Sequence, residues 1–312
     1  MTKAVYVTGC LGFIGYHLTK QCLENNWHVY GIDKQTYASN TQFLEELKSY
    51  PKFKYLCEDI NNLQRIHDCD YFINTAAETH VDNSIKCSNA FLESNINGVH
   101  NILKLIQVKK QRPILLHFST DEVYGDIDVG SFKESNLLKP SNPYSATKAA
   151  ADMLILAWAR TFDIDYVIVR PTNNYGTGQY VEKFIPKAIK YLTLGRRIIL
   201  HDKGLPRRTW LHVSDTVSAV MQIIESKQQN EIYNINGNYE EQNIVVAKKI
   251  LYSYGILNDE DDWIDDTEKR LGQDVRYSVN DNKLKEIGWH PEANFDKELK
   301  IIVDYYKKNF IW

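Results

Sequence analysis

Tyr144 and Lys148 stand four residues apart in the run Tyr144-Ser145-Ala146-Thr147-Lys148. That spacing puts a phenol and an ammonium on one face of a helix. With its ordinary pKa of about 10, a phenol is a poor base at neutral pH. A neighbouring positive charge stabilises the phenolate and makes the residue a usable base. Upstream, Ser119-Thr120-Asp121-Glu122-Val123-Tyr124-Gly125 closes a strand-like run. There Thr120 offers a hydroxyl to the same reacting oxygen, and Asp121 and Glu122 supply two adjacent carboxyl groups. Oxidation of an alcohol by hydride transfer needs the phenol, the ammonium and the hydroxyl, but no acid–base pair. Elimination of water beside a new ketone does need one: a group to take a carbon-bound proton and another to protonate the departing hydroxyl. The alternative for the two carboxyls is a turn residue with a solvated neighbour.

A second constellation lies at the N-terminal end. Thr8-Gly9-Cys10-Leu11-Gly12-Phe13-Ile14-Gly15 follows the first strand-like run and opens the first helical one. Gly9, Gly12 and Gly15 allow a tight turn, close backbone approach to a pyrophosphate, and close helix–strand packing. The helix opened by Phe13 and Ile14 offers free N–H groups and the positive end of its dipole. Asp33 ends the second strand, eighteen residues beyond Gly15, with Lys34 beside it. A carboxylate there accepts from both ribose hydroxyls and repels a 2′-phosphate, which favours NAD over NADP. Asp59 and Ile60 after the third strand are expected to border the adenine, and Ala76 and Ala77 after the fourth to border the middle of the cofactor.

The elements that hold these residues alternate. Strands are expected at Ala4–Thr8, Val29–Asp33, Lys54–Cys57, Tyr71–Thr75, Ile114–Ser119 and Asp165–Arg170, with helical periodicity between them, as over Ala90–Leu105. Strands apolar on both faces that alternate with helices predict an α/β fold, a doubly wound parallel sheet of the Rossmann type. Pro143 suits the first turn of a long helix running to about Arg160, capped by Ser141 or Asn142. Beyond Arg170 the pattern loosens. A helix near Asp215–Ser226 and a strand near Glu231–Ile235 are expected to return to the first domain. The predicted division is therefore a cofactor domain at 1–170, with a return segment near 213–236, and a smaller mixed lobe at 171–212 and 237–312.

Composition narrows the function classes. The 312 residues are 43% hydrophobic and 25% charged, as in an ordinary globular protein. A net charge of −3 with interspersed signs argues against nucleic acid or an anionic membrane as partner. No apolar run approaches the about 18 residues of a spanning helix. Met1-Thr2-Lys3 leads straight into a strand, so no signal peptide is expected. The five cysteines show neither CxxC nor zinc-type spacing, which predicts reduced thiols in the cytoplasm and no metal site.

The strings TGCLGFIG, IDKQTYASN, AAETHVD, FSTDEVYG, NPYSATK and RPTNNYG together resemble the extended short-chain dehydrogenase/reductases, and specifically the dTDP-glucose 4,6-dehydratases, in order and over most of the chain. In that family the Thr-Asp-Glu triplet separates dehydratases from epimerases and decarboxylases. The resemblance implies that Tyr144, with Thr120 and Lys148, deprotonates the sugar 4-hydroxyl while NAD accepts hydride from C4. Glu122 then removes the C5 proton, Asp121 protonates the leaving 6-hydroxyl, and hydride returns to C6. It further implies a nucleotide-diphosphate sugar substrate, dTDP- or UDP-glucose, contacted by Thr79, Asn173, Asn174, Glu182, Lys183, Arg208, Asn238 and Arg270. A homodimer built on paired helices, one carrying Lys148, is implied as well. The chain departs from the family at Asn83, where arginine is common, at Thr209 for aspartate, at Gln273 for histidine, and in a short segment between Gly125 and Pro140. These departures bear on nucleotide preference and cleft shape rather than on reaction type. A 4-epimerase or decarboxylase on the same fold is the nearest alternative, and a catalytically silent NAD-binding scaffold the alternative of another class.

Overall fold

A computed structural model of the chain describes residues 2–269 and 274–309. Its larger sheet contains β1 (Ala4–Thr8), β2 (His28–Ile32), β3 (Phe53–Leu56), β4 (Tyr71–Asn74), β5 (Ile114–Phe118) and β6 (Tyr166–Pro171). A seventh strand, β10 (Glu231–Ile235), joins them from far along the sequence. The order is β10-β6-β5-β4-β1-β2-β3, and every neighbouring pair is parallel. Strand order reverses between β1 and β4, which opens a crevice at the carboxyl ends of those two strands. Each of the six strands expected before residue 171 lies within one residue of its observed limits.

Alternation along each strand builds the two faces. Val5, Val7, Ile73 and Leu116 point to one side, where Leu18 and Cys22 of the Phe13–Glu24 helix and Val220 and Ile224 of the Val213–Glu225 helix cover them. Tyr6, Phe72, Leu115 and Ile168 point to the other, against Ile102 and Ile106 of the Gly98–Gln107 helix and Ala151 and Ile155 of the Pro143–Phe162 helix. Asn142, rather than Ser141, caps that last helix: its side chain accepts from Ser145 N, and the Ser145 hydroxyl faces the Asn142 backbone in return. The helical run expected over 90–105 is broken into Asn89–Phe91, a π-turn at Leu92–Asn97, and Gly98–Gln107. The wider turn carries Asn95, whose amide bonds Glu78 N and O and the Thr147 hydroxyl, so it serves the loop after β4.

A smaller region stands beyond the carboxyl edge. β7 (Asn173–Tyr175), β9 (Arg207–His212) and β11 (Tyr239–Gln242) form a mixed sheet in the order β11-β9-β7. β8 (Ile198–His201) pairs in parallel with β12 (Ile264–Glu268). Its core packs Ile189, Val246, Ile250, Leu299 and Val303 from three helices against Trp210 and Tyr175. No described helix is long and apolar enough to cross a membrane.

One buried polar cluster ties the large sheet to the loop that carries Thr120, Asp121 and Glu122. Arg170 at the end of β6 and Asp152 are both essentially without solvent exposure, with Nη2 2.9 Å and Nε 3.0 Å from Asp152 Oδ2. The Ser119 hydroxyl donates to the same oxygen, and Arg170 Nη1 donates to Tyr124 Oη, which in turn donates to Asn234 of β10. Removing one partner of such a pair strands the other charge in the core. Asp152→Ala is expected to lower the unfolding free energy by about 3–5 kcal/mol, read from urea titration. An unchanged midpoint would show that the pair adds nothing to stability.

Candidate active site

The crevice at the strand reversal is lined by the first glycine-rich turn. Gly9 follows β1 with φ +68°, a backbone conformation that side chains disfavour. A Cβ at Gly15 would lie 2.1 Å from the Gly9 carbonyl oxygen and 2.6 Å from Thr75 Oγ1, so the turn and its helix approach more closely than any other residue permits. Gly12 caps the Phe13–Glu24 helix without a side-chain hydrogen bond, which leaves the N–H groups of the first turn to the groove. Asp33 is buried at the outer end, where its carboxylate accepts from Leu11 N at 3.1 Å, Gln35 N at 2.8 Å and Ser39 Oγ at 2.8 Å. The glycine turn and the loop after β2 are thus held by one carboxylate. Lys34 pairs with Asp59 at 3.0 Å across the same end, and Ile60, Ala76 and Ala77 line it with them. Burial works to raise the Asp59 pKa, but the Asn61 N–H and Lys34 outweigh it and the net direction is down.

Deeper in the crevice the groove meets Phe13, Ile14, Thr120, Asp121, Glu122, Tyr144 and Lys148. Thr120 caps a short 3₁₀ turn, Asp121–Tyr124, by accepting from Glu122 N. That turn buries the Asp121 carboxyl, which is only 3% exposed, while Glu122 stays half-buried. Asp121 Oδ1 receives the Thr120 hydroxyl at 3.2 Å, whereas Oδ2 has no hydrogen-bond partner among the described residues. Burial, with the adjacent Glu122, pushes its pKa up to about 8 against the opposing pull of Arg208 and Thr120. Glu122 Oε2 faces the Tyr277 hydroxyl at 3.4 Å and Asn142 Nδ2 at 3.5 Å. The Tyr144 phenol is pushed up by burial and by Glu122, with a hydrogen bond to Thr120 working the other way. Lys148 donates to the Phe118 carbonyl and lies 3.4 Å from His117 Nε2. Burial brings its pKa down to about 8 although Asp152 favours the charged form. All three groups therefore rest nearer their neutral forms than they would in water.

The cleft continues toward the smaller region and shares residues with the groove. Thr79, Glu122, Asn173, Glu182 and Lys183 line both, while Asn174 lines only the inner part and Arg208 only the outer. Lys183 Nζ reaches Glu182 at 3.2 Å and Thr79 Oγ1 at 2.9 Å. Arg208 is largely buried, donates to the Arg207 and Asp274 carbonyls, and stacks over the Tyr277 ring at 4.5 Å. Asn238 is not among the residues lining the cleft: it is exposed and donates to the Ala293 carbonyl. Arg270 and Gln273 lie outside the described residues. Asp274 and Tyr277 were not anticipated. Tyr277 and Ser141 both donate to the Asp274 carboxylate, an arrangement that sets the phenol against Glu122. Their only local signal was adjacency to the Arg270 segment.

A parallel sheet in this strand order, with the phenol, lysine and hydroxyl at its carboxyl edge, defines an extended short-chain dehydrogenase/reductase. Residues 6–302 match the GDP-mannose 4,6 dehydratase family, and the chain belongs to it. It is similar to the dTDP-glucose 4,6-dehydratase of Haemophilus influenzae, with 35% identity over 331 residues and 98% of each chain covered. A trifunctional UDP-glucose 4,6-dehydratase/UDP-4-keto-6-deoxy-D-glucose 3,5-epimerase/UDP-4-keto-L-rhamnose-reductase of Arabidopsis thaliana is 36% identical over 99% of this chain. The chain spans about half the length of that plant relative, 48%. Among solved structures, the dTDP-glucose 4,6-dehydratase DesIV of Streptomyces venezuelae, with NAD and TYD bound, matches with a TM-score of 0.92. The identity is 33%, covering 98% of this chain and 97% of that one.

The close approach at Gly15 gives a direct test of the groove. Gly15→Ala is expected to weaken NAD binding about ten- to hundred-fold, the equivalent of roughly 1–3 kcal/mol of overpacking, measured by calorimetric titration. Undiminished affinity would mean that the Gly9–Gly15 contact does not shape the binding surface.

Proposed function

We propose that the chain is an NAD-dependent dehydratase that converts a nucleotide-activated glucose, dTDP- or UDP-glucose, to its 4-keto-6-deoxy form. The observation that carries this reading is the inequality of Asp121 and Glu122. One carboxyl is buried, with an oxygen that has no hydrogen-bond partner among the described residues and a pKa pushed up to about 8; its neighbour is half-buried at the seam of groove and cleft. At neutral pH the first is an acid with a proton to give.

The residues present fit NAD: a glycine turn that admits no Cβ at Gly15, uncapped helix N–H groups, and a carboxylate at Asp33 where a 2′-phosphate would be repelled. When bound, NAD supplies an acceptor for the C4 hydride, a donor for its return to C6, and a positive ring near the phenol. Tyr144 acts as its phenolate, the form that positive charge on Lys148 and on a bound nicotinamide would stabilise, and aided by Thr120 it takes the proton of the sugar 4-hydroxyl. With C4 a ketone, the C5 proton becomes acidic and Glu122 removes it. Asp121 protonates the 6-hydroxyl as it leaves, and C5 is reprotonated as C6 is reduced. No net oxidation results. Asn173, Asn174, Glu182, Lys183, Thr79 and Arg208 are the proposed contacts for the sugar and diphosphate. Arginine's planar fork suits the diphosphate.

In this reading residues 1–170, with the 213–236 return, hold the cofactor, and 171–212 with 237–312 hold the nucleotide sugar. Localisation in the cytoplasm and a homodimer through the Lys148 helix belong to the same proposal, and light scattering tests the latter. An epimerase or decarboxylase would leave the unlike pair Asp121–Glu122 without a task. A silent scaffold would leave the whole constellation without one.

The deciding experiment is mass spectrometry after incubation with dTDP-glucose and UDP-glucose separately, without added reductant. Loss of one water is expected from one or both; an isomer of unchanged mass would mean an epimerase. Glu122→Gln is expected to oxidise C4 and then stall, so that reduced nicotinamide accumulates and is seen by its near-ultraviolet absorbance. Full turnover in that variant would remove Glu122 from its role. Because the acid must be protonated to act, elimination should fall as pH rises through about 8, the Asp121 value. Asp121→Asn should slow it by about 10²–10⁴-fold and remove that limb of the profile.

A further inference from the structure

Two aromatic side chains that belong to neither main core meet across the cofactor groove. Tyr37 is the tip of the loop after β2, between Thr36 and Ala38, which line the groove's outer end. Tyr37 itself lines no part of the groove or the cleft and is 50% exposed. Its ring meets the Tyr180 ring edge-on, with centroids 5.5 Å apart and planes at 68°. Tyr180 lines the inner groove, on the loop that leads from β7 to the Phe184–Thr193 helix. The pair therefore joins a loop of the large sheet to a loop of the smaller region, from outside the groove.

Both loops are seated so that the rings stay opposite one another. Asp33 holds the first through Gln35 N and Ser39 Oγ, and Asn40 N donates to the Leu11 carbonyl at 2.9 Å. In the second, Gly178 at φ +84° lies against Phe43 of the Thr41–Lys48 helix, so close that a Cβ would come within 2.6 Å of the ring. Gln179 Nε2 donates to the Asn174 carbonyl at 2.8 Å. The Tyr37 hydroxyl ends between carboxyls from both sides: Glu78, after β4, at 3.5 Å, and Glu182, after β7. Burial, followed by the charges of Glu182 and Glu78, pushes its pKa up, so it keeps a proton to share between them. A second bridge lies further in, where Lys183 Nζ donates to Thr79 Oγ1 at 2.9 Å and to the Thr79 carbonyl at 3.1 Å. Lys183 and Thr79 are proposed substrate contacts, so that bridge must rearrange as the cleft fills. The tyrosine pair lies outside the proposed contacts and is left standing.

We propose that Tyr37 and Tyr180 form a strap across the groove, a gate that slows NAD entering and leaving alike. The contact is made by protein atoms alone, so parting it costs the same in either direction. An edge-on aromatic pair of this kind lowers the open fraction about three- to tenfold. A residue that gripped the cofactor itself would slow its departure and tighten its binding; a strap slows both rates and leaves the affinity where it was. Such a device suits a reaction in which hydride taken from C4 returns to C6, because the cofactor has no need to leave between turnovers. That meaning rests on the dehydration proposed above, whereas the gate itself does not.

The test is stopped-flow binding of NADH to the full chain freed of nucleotide, followed by its fluorescence, with dissociation read by displacement with excess NAD. In Tyr37→Ala the association and dissociation rates should both rise about three- to tenfold, while their ratio stays within about twofold of wild type. Tyr180→Ala should raise the association rate to a similar degree. The double variant should be no faster than the faster single one, because both remove the same contact. A faster dissociation alone would make Tyr37 a direct holder of the cofactor and overturn the strap. Unchanged rates, or effects that add in the double variant, overturn it as well. Tyr37 is half-exposed at a loop tip, and an unaltered affinity certifies that its variant is folded, so it decides the matter even where Tyr180→Ala fails to fold. Dehydration is measured separately. Both rates raised in a chain that releases no water would fault the reaction and leave the strap; unchanged rates in an active dehydratase would remove the strap and leave the reaction.

Discussion

Withdrawal of three ionisable side chains from water is the constraint on which the rest of this molecule turns. Asp121, Tyr144 and Lys148 are each buried at the same corner, and burial is the largest influence on all three. It moves the acids up and the base down, so the corner is kept close to neutral. A carboxyl displaced from 3.8 to about 8 resists ionisation by on the order of 5 kcal/mol. Few surface interactions match that, since exposed ion pairs contribute about 1 kcal/mol or less. The neighbouring core is arranged accordingly. Arg170 and Asp152 carry the buried charges as a pair, one helical turn from Lys148, and bond to Ser119, Tyr124 and, through Tyr124, Asn234.

The parallel sheet makes such a corner available because all its strands end on one side. Loops after β1, β4 and β5 supply the glycine turn, the Thr75–Ala77 wall and the Thr120–Glu122 turn, and β6 leads into Asn173 and Asn174. Within the sheet, residues side by side at the ends of neighbouring strands share a level. This is why one polar rung, Thr8, Asn74 and His117, can connect the cofactor turn to Lys148 without crossing the apolar layer beneath it. Asp33 works similarly at the outer end, where its two oxygens hold the Leu11 amide from one loop and Gln35 and Ser39 from another.

Much of this was legible in the residues because local rules agreed with the global answer. β-branched runs separated by helical periodicity located six strands to within a residue, and Pro143 after Asn142 marked the start of the long helix. The glycine spacing and Tyr144–Lys148 were readable because each follows from a backbone requirement or a helical repeat. Features that depend on distant pairing were not. The π-turn at Leu92–Asn97 serves an amide aimed at Glu78 and Thr147, a contact between segments far apart in the chain. Tyr277 meets Glu122 across 155 positions. His117 reads locally as one polar residue in an apolar strand, and only register with Asn74 and Thr8 reveals its hydrogen bonds. Asn238, expected from the resemblance to contact substrate, instead donates to the Ala293 carbonyl, another contact between distant segments.

The difference between the two adjacent carboxyls follows from the shape of a single turn. The Thr120 cap forces a tight 3₁₀ geometry, in which successive side chains diverge, so Asp121 turns into the protein and Glu122 toward the shared cleft. Two carboxyl groups one residue apart thereby occupy unlike surroundings, and burial, with Glu122 beside it, raises the proton affinity of Asp121 against the pull of Arg208. Tyr277, pinned by Asp274, and Asn142, the helix cap, then face Glu122 from the other side. The cap that begins the helix bearing Tyr144 and Lys148 is thus also a neighbour of the adjacent carboxylate. The groups proposed for oxidation and for elimination are consequently not two sites placed near one another. They are one strand end and one helix start, joined through Thr120 and Asn142, and a shift of either element would disturb both sets of groups together.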